Sequence, residues 1–85
     1  MKPELKLEEL SHEVFYNMRS YSQLIIDLVQ EVEQLYANDE VTYENCGALH
    51  YDVDNVLEII DPSRIKEIKV LKELSGLLKL TFKSE

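Results

Sequence analysis

The chain has almost no cysteine and no long apolar run, and these absences exclude several classes of protein. Its one cysteine, Cys46, cannot form a disulfide within the chain, and a single thiol is typical of a reducing compartment. The opening residues MKPELKLEEL lack the apolar core of a signal peptide, and no segment approaches the ~18 consecutive apolar residues that cross a bilayer. We therefore expect a cytoplasmic protein that neither inserts into a membrane nor is secreted.

Glycine is equally scarce, with Gly47 and Gly76 the only two. A glycine-rich loop that cradles phosphate, as in dinucleotide-binding proteins and P-loop enzymes, cannot be built from two distant glycines. Cys46 has no base beside it, and the acidic residues upstream disfavour its thiolate, so we expect a packed side chain and not a nucleophile. These observations favour a non-enzymatic protein without a cofactor.

Basic residues are outnumbered by acidic ones, 9 against 17, which gives a formal net charge of −8. The excess lies in residues 1–61, with 14 acidic and 3 basic residues, whereas residues 62–85 carry 6 basic and 3 acidic ones. Nucleic-acid binding needs a dominant basic face, and none is present. We predict no direct nucleic-acid binding and a protein partner with a basic surface.

The apolar pattern predicts an all-α fold in one domain, residues 1–85, because apolar residues recur at steps of three and four. The first helix is predicted from about Pro3 or Glu4 to about Ala37, roughly 50 Å long. Its heptad register slips once, at Asn17, which makes a long regular zipper unfavourable. Its apolar stripe consists of Leu7, Leu10, Val14, Met18, Tyr21, Ile25, Leu28, Val32 and Leu35.

The segment TYENCGALHYDVDNVLEIIDP predicts a second helix, which begins after Thr42 as N-cap and ends before Asp61-Pro62. A short strand is the alternative, because apolar and polar residues alternate from Leu49 to Asp54. A third helix is predicted from Pro62 to about Leu78. Here the alternative is a β-hairpin, because a turn signal at residues 75–76 precedes another alternating run.

Three helices of these lengths cannot bury all of the apolar surface of the first helix. A helix of roughly 50 Å beside a hairpin of two helices of roughly 25 Å leaves part of its apolar stripe exposed. A two-fold homodimer is the commonest way for a soluble protein to cover such a surface. We therefore predict a dimeric helical bundle whose interface consists of Val14, Met18, Tyr21, Ile25, Leu28 and Val32.

The sequence His-Tyr-Asp-Val-Asp at residues 50–54 raises the question of a metal site. On a helix, His50, Asp54 and Glu58 lie one turn apart and are able to reach one metal ion. A closed zinc site needs four ligands, however, and Cys46 lies toward the apolar face. The solvent-facing side of a helix explains the same residues, so we predict no metal site.

Two acidic pairs resemble those of the all-α nucleoside-triphosphate pyrophosphohydrolases, which hold Mg²⁺ between facing helices. Glu58-Ile-Ile-Asp61 is similar to the second pair of that family. Glu31-Val-Glu-Gln34 resembles the first, with its second acid replaced by Gln34. The resemblance implies Mg²⁺ bound by Glu31, Glu58 and Asp61, and it is the enzymatic alternative.

The leading hypothesis is a non-enzymatic, acidic protein–protein interaction module. A sharper version is an inhibitor that occupies a basic nucleic-acid-binding groove on its target, because carboxylates on helices imitate the spacing of phosphates. A purely structural self-assembly unit is a further alternative. The predicted binding surface consists of Glu31, Asp39, Glu40, Asp52, Asp54 and Glu58.

Overall fold

The protein is all-helical in a computed structural model, which describes the backbone of residues 3–84 and the side chains of residues 5–79. The all-α prediction is confirmed, and no strand occurs in the described range. The described residues form four α-helices where three were predicted. They are α1 (Pro3–Tyr16), α2 (Gln23–Ala37), α3 (Tyr43–Ile59) and α4 (Ile65–Ser84), with a 3₁₀ turn (Met18–Ser20) between α1 and α2.

The predicted long first helix is wrong, because the chain leaves the helical conformation at Asn17, with φ −121° and ψ 38°. The Asn17 amide donates to the main-chain oxygen of Glu13 at 2.8 Å and to the Glu13 carboxylate at 2.7 Å. Such local bonds are how asparagine competes with helical geometry. The break lies at the register slip in the apolar stripe, and α1 folds back on α2.

This fold-back lets one chain cover its own apolar stripe. α1 packs on both α2 and α4, and α3 packs most extensively on α4. The longest dimension of the molecule is 35 Å, so the helix of roughly 50 Å is replaced by two shorter ones. The side chains with no more than 5% exposure include Leu10, Val14, Ile25, Val29, Val32, Cys46, Val53, Leu71, Leu74 and Leu78.

Both predicted helix boundaries around residues 38–42 agree with the structure. α2 ends at Ala37, and Asp39 then adopts a left-handed conformation with φ 55°. The N–H groups of Asp39 and Glu40 donate to main-chain oxygens of the last turn of α2, a Schellman motif. Thr42 caps α3 by accepting from the Asn45 N–H at 3.1 Å.

The start and end of α4 differ from the prediction. α4 begins at Ile65 and not at Pro62, because the Asp61 carboxylate accepts from the N–H and the hydroxyl of Ser63 and holds a turn there. α4 continues through residues 77–83, so the predicted alternative of a β-hairpin is wrong. The strand alternative within α3 is wrong for the same reason, because residues 43–59 are helical throughout.

Substituting Gly76 by alanine is expected to stabilise the protein by about 0.5–1 kcal/mol. Gly76 lies within α4 with no positive φ, and no atom lies within 4 Å of an added Cβ, so only the helix-propensity gain remains. Urea unfolding with an unchanged m-value measures the gain. A loss of stability would contradict the helical assignment, because a hairpin turn at this glycine requires the conformation that alanine disfavours.

Candidate functional site

An acidic groove lies where the end of α2, the loop 38–42 and the first half of α3 meet. Its volume is about 310 Å³. The polar part of its lining consists of two carboxylates and three carboxamides, with no cation among the lining residues. The residues that define the acidic groove are Glu31, Gln34, Leu35, Asn38, Glu40, Asn45, Ala48 and Leu49.

Local hydrogen bonds set the shape of the acidic groove. The Schellman motif brings Glu40 back over the last turn of α2, where its N–H donates to the Leu35 oxygen at 2.8 Å. The Asn45 amide donates to the Glu40 main-chain oxygen at 2.9 Å and so joins the loop to α3. The loop is therefore held at both ends, which limits the conformations of its side chains.

The chemistry of the acidic groove suits a cationic side chain. Glu31 and Glu40 are exposed, so their carboxylates are accessible to a partner. Carboxylates accept paired hydrogen bonds from a guanidinium, and amide oxygens accept from the remaining N–H groups. Leu35 and Leu49 are half-buried and offer an apolar surface to the aliphatic part of an arginine or lysine.

Of the other predicted acidic residues, the structure places two beside the acidic groove and one far from it. Asp39 is exposed beside Glu40, and Asp52 is exposed on α3 one turn after Ala48, which lines the groove. Glu58 is exposed near the other end of α3. The predicted surface is therefore divided, with Glu31 and Glu40 lining one groove and Glu58 distant from it.

His50 differs from the predicted solvent-facing helix side, whereas the carboxylate of Asp54 is partly exposed. The His50 side chain is only 17% exposed, and its Nδ1 lies 3.3 Å from Asp54 Oδ2. Its Nε2 lies 3.1 Å from the hydroxyl of Ser75, a buried residue of α4. His50 and Ser75 belong to the α3–α4 contact, whereas the Asp54 side chain is 48% exposed and faces solvent together with Tyr51 and Asp52.

This polar contact has the order of groups found in Ser-His-Asp hydrolases, namely Ser75 hydroxyl, His50 imidazole and Asp54 carboxylate. Those enzymes also need preorganised donors for an oxyanion. Ser75 lies in the middle of α4, where main-chain N–H groups are used by the helix itself. We therefore interpret the three residues as a polar contact that fixes the register of α3 against α4.

The two acidic pairs of the pyrophosphohydrolase resemblance do not converge. Glu31 and Gln34 line the acidic groove, whereas Asp61 lines a separate cavity of about 240 Å³ beside Ser22. Ser22 and Glu31 are roughly 13 Å apart along α2. The Asp61 carboxylate already accepts hydrogen bonds from the N–H and the hydroxyl of Ser63, and these bonds lower its pKa. Among the residues described, no group of three or more His, Cys, Asp or Glu could hold a metal ion.

Most residues of the predicted dimer interface are buried within the single chain. Val14, Ile25 and Val32 are fully buried, and Leu28 and Tyr21 are nearly so, which leaves Met18 as the exposed member at 48%. The five buried side chains are unavailable to a second copy in this conformation. The uncovered stripe that motivated the predicted homodimer is covered by α1 folding back, and the dimer itself stays a prediction.

A basic cavity at the other end of α2 was not anticipated from the sequence. It has a volume of about 540 Å³, and its lining includes Arg19, Arg64 and Lys66. Arg19 is the only lysine or arginine in the sequence between residues 7 and 61. The turn between α1 and α2 brings it to the start of α4. Glu67 also lines this cavity, so three cations and one carboxylate meet there.

None of the helices in the described part of the chain is long and apolar enough to cross a membrane, although α4 has 20 residues. The exposed side of α4 instead carries lysines, among them Lys66, Lys69, Lys72 and Lys79.

Comparison with known proteins gave no match: no family model, no curated protein and no solved structure is similar enough to place the chain in a family.

Proposed function

We propose that the protein is a non-enzymatic interaction module whose acidic groove binds an arginine or lysine side chain on the basic surface of another protein. The observation that carries this proposal is the lining of the groove. Two accessible carboxylates and three carboxamides surround a half-buried apolar floor, and no cation among the described side chains lines it. That combination suits the charged end and the aliphatic part of a basic side chain.

The surroundings of the groove extend the same chemistry. Asp39 and Asp52 are exposed next to it, and the cations Arg19, Arg64 and Lys66 lie at the other end of α2. An electrostatic field of this kind steers a basic partner toward the acidic end and increases the association rate. The finer proposal is an inhibitor that covers a basic nucleic-acid-binding groove on its target, where its carboxylates take the place of phosphates.

Neutralising the groove by the double substitution Glu31→Gln and Glu40→Gln is expected to weaken binding of a basic peptide about tenfold, or roughly 0.7 kcal/mol per exposed ion pair. The measurement is fluorescence anisotropy with a labelled oligo-arginine peptide at about 0.1 M salt, where the Debye length is about 10 Å. Binding of the unmodified protein should weaken as salt is added, because exposed charges are screened.

The matched control is the double substitution Glu8→Gln and Glu9→Gln, which removes the same charge from exposed residues of α1. This control is expected to change the affinity by less than about twofold, because distant exposed charges are largely screened. Equal losses from the two double variants would show that the peptide responds to net charge, and the groove would then not be the binding site.

A further inference from the structure

We propose that α1 exchanges between two copies of the chain, so that the turn between α1 and α2 straightens and α1 of each copy packs on α2 and α4 of the other. This domain-swapped dimer goes beyond the proposed function and does not depend on it. It would retain the α1 contacts of the single chain, because identical surfaces meet in both forms.

The apolar stripe is the first observation in support. Val14, Met18, Tyr21 and Ile25 follow one another at helical steps, so the spacing continues across the break. Met18 lies on that stripe and yet is 48% exposed in the folded-back chain. A straight helix from Pro3 to Ala37 would restore the main-chain hydrogen bonds that the break interrupts and return Met18 to an apolar face.

The turn itself is the second observation, because few contacts hold it. None of the residues Met18–Ser20 is buried. Side-chain contacts hold the chain in the folded-back form: the Asn17 amide bonded to Glu13, the Tyr21 hydroxyl 3.3 Å from the same carboxylate, and the Ser22 N–H bonded to Glu67. Two main-chain bonds within the turn join them, from the Ser20 N–H to the Asn17 oxygen and from the Tyr21 N–H to the Met18 oxygen. Straightening therefore disrupts a small number of contacts in and beside the turn.

The buried side of α1 identifies the second copy as the partner. Leu7, Leu10 and Val14 are at most 5% exposed, so α1 cannot leave its place without exposing a large apolar surface. Another copy that has opened in the same way offers the matching surface on α2 and α4. The ion pair between Lys6 of α1 and Glu73 of α4, at 3.3 Å, marks that contact.

The test is a cross-linking experiment on two single variants, Lys6→Cys and Glu73→Cys. The variants are unfolded together, refolded at high protein concentration and treated with a short bis-maleimide. Exchange predicts a covalent heterodimer in the mixture, because α1 of one variant then lies on α4 of the other. Cys46 is fully buried and should not react, which the parent protein treated in the same way will verify.

Two turn variants change the equilibrium in opposite directions. Asn17→Ala removes the bonds to Glu13 and improves helix propensity in both chains, and it is expected to raise the dimerisation constant about tenfold. Asn55→Ala, on the exposed side of α3, is the matched control and should leave it unchanged. Met18→Pro suits the first position of the 3₁₀ turn but interrupts a straight helix, and should lower the constant at least about a hundredfold.

The proposal is overturned if the mixed single variants give no heterodimer while a double variant that carries both Lys6→Cys and Glu73→Cys cross-links within one chain. It is also overturned if a dimer forms that Met18→Pro leaves intact, because that dimer would not require a straight helix. Failure of either kind leaves the acidic groove untouched, since peptide binding is measured on the folded-back monomer.

Discussion

Replacing Glu67 by alanine is expected to destabilise the protein by roughly 2–4 kcal/mol, because a buried carboxylate with two hydrogen bonds is lost. Glu67 is 5% exposed. It accepts from the Ser22 N–H at 2.9 Å and from an Arg64 guanidinium nitrogen at 2.8 Å. Urea unfolding at neutral pH measures the loss.

The position of Glu67 explains why the effect should be large. Ser22 is the N-cap of α2, and its own side chain makes no capping hydrogen bond. A glutamate three residues after the N-cap commonly accepts from the N-cap N–H, but that position holds the buried Ile25. Glu67 of α4 takes this role from another helix, and its negative charge lies near the favourable N-terminal end of α2.

The same carboxylate should make stability depend on pH. Burial by itself raises the pKa of Glu67, but the hydrogen bonds from Ser22 and Arg64 outweigh it and hold the pKa below its usual value. A lowered pKa in the folded state gives stability that is present above the unfolded-state pKa, about 4.3, and lost as pH falls through the folded-state value.

Glu67→Gln is the control that isolates this ionisation. Glutamine retains an oxygen that can accept from Ser22 but has no charge. The difference in unfolding free energy between the parent protein and Glu67→Gln should be largest near neutral pH and should shrink below about pH 4. A difference that stays constant down to pH 2 would show that the ionised form of Glu67 does not stabilise the fold.

Local signals in the sequence predicted the end of α2 and the start of α3 correctly. Thr42 caps α3, and the sequence Asn38-Asp39-Glu40 ends α2, because each of these signals acts on main-chain groups within a few residues. The break at Asn17 was missed for the opposite reason. Its local signal was only a register slip, and the turn is completed by Glu67, which lies 45 residues from Ser22.

The candidate site shows the same division between local and long-range information. Glu31 and Glu40 were predicted as binding residues from charge alone, but their grouping with three carboxamides depends on how α2 and α3 meet. The contact of His50 with Ser75 depends on the register of α3 against α4, and the spacing of residues within α3 does not determine that register. Helix periodicity placed His50 beside Asp54, and it could not place Ser75.

The largest loss of stability is expected when the side chain of Ile25, in the apolar stripe, is truncated to alanine. Ile25→Ala should cost about 2–5 kcal/mol, because this side chain is fully buried and its removal leaves a cavity in the core. An 85-residue domain commonly has only about 4–13 kcal/mol of stability in total. Leu24→Ala is the matched control on the same helix, where the side chain is 50% exposed, and it should cost less than about 1 kcal/mol.

Dependence on protein concentration decides what the Ile25 loss means. If the stripe is the core of one chain, the unfolding midpoints of the parent protein and of Ile25→Ala should not change with concentration in the range where the parent is monomeric. If the stripe is instead a dimer interface, both midpoints should rise with concentration, because association stabilises the folded state by mass action. A concentration-dependent midpoint for the folded-back form would contradict the burial of Ile25, Val32 and Val14 within a single chain.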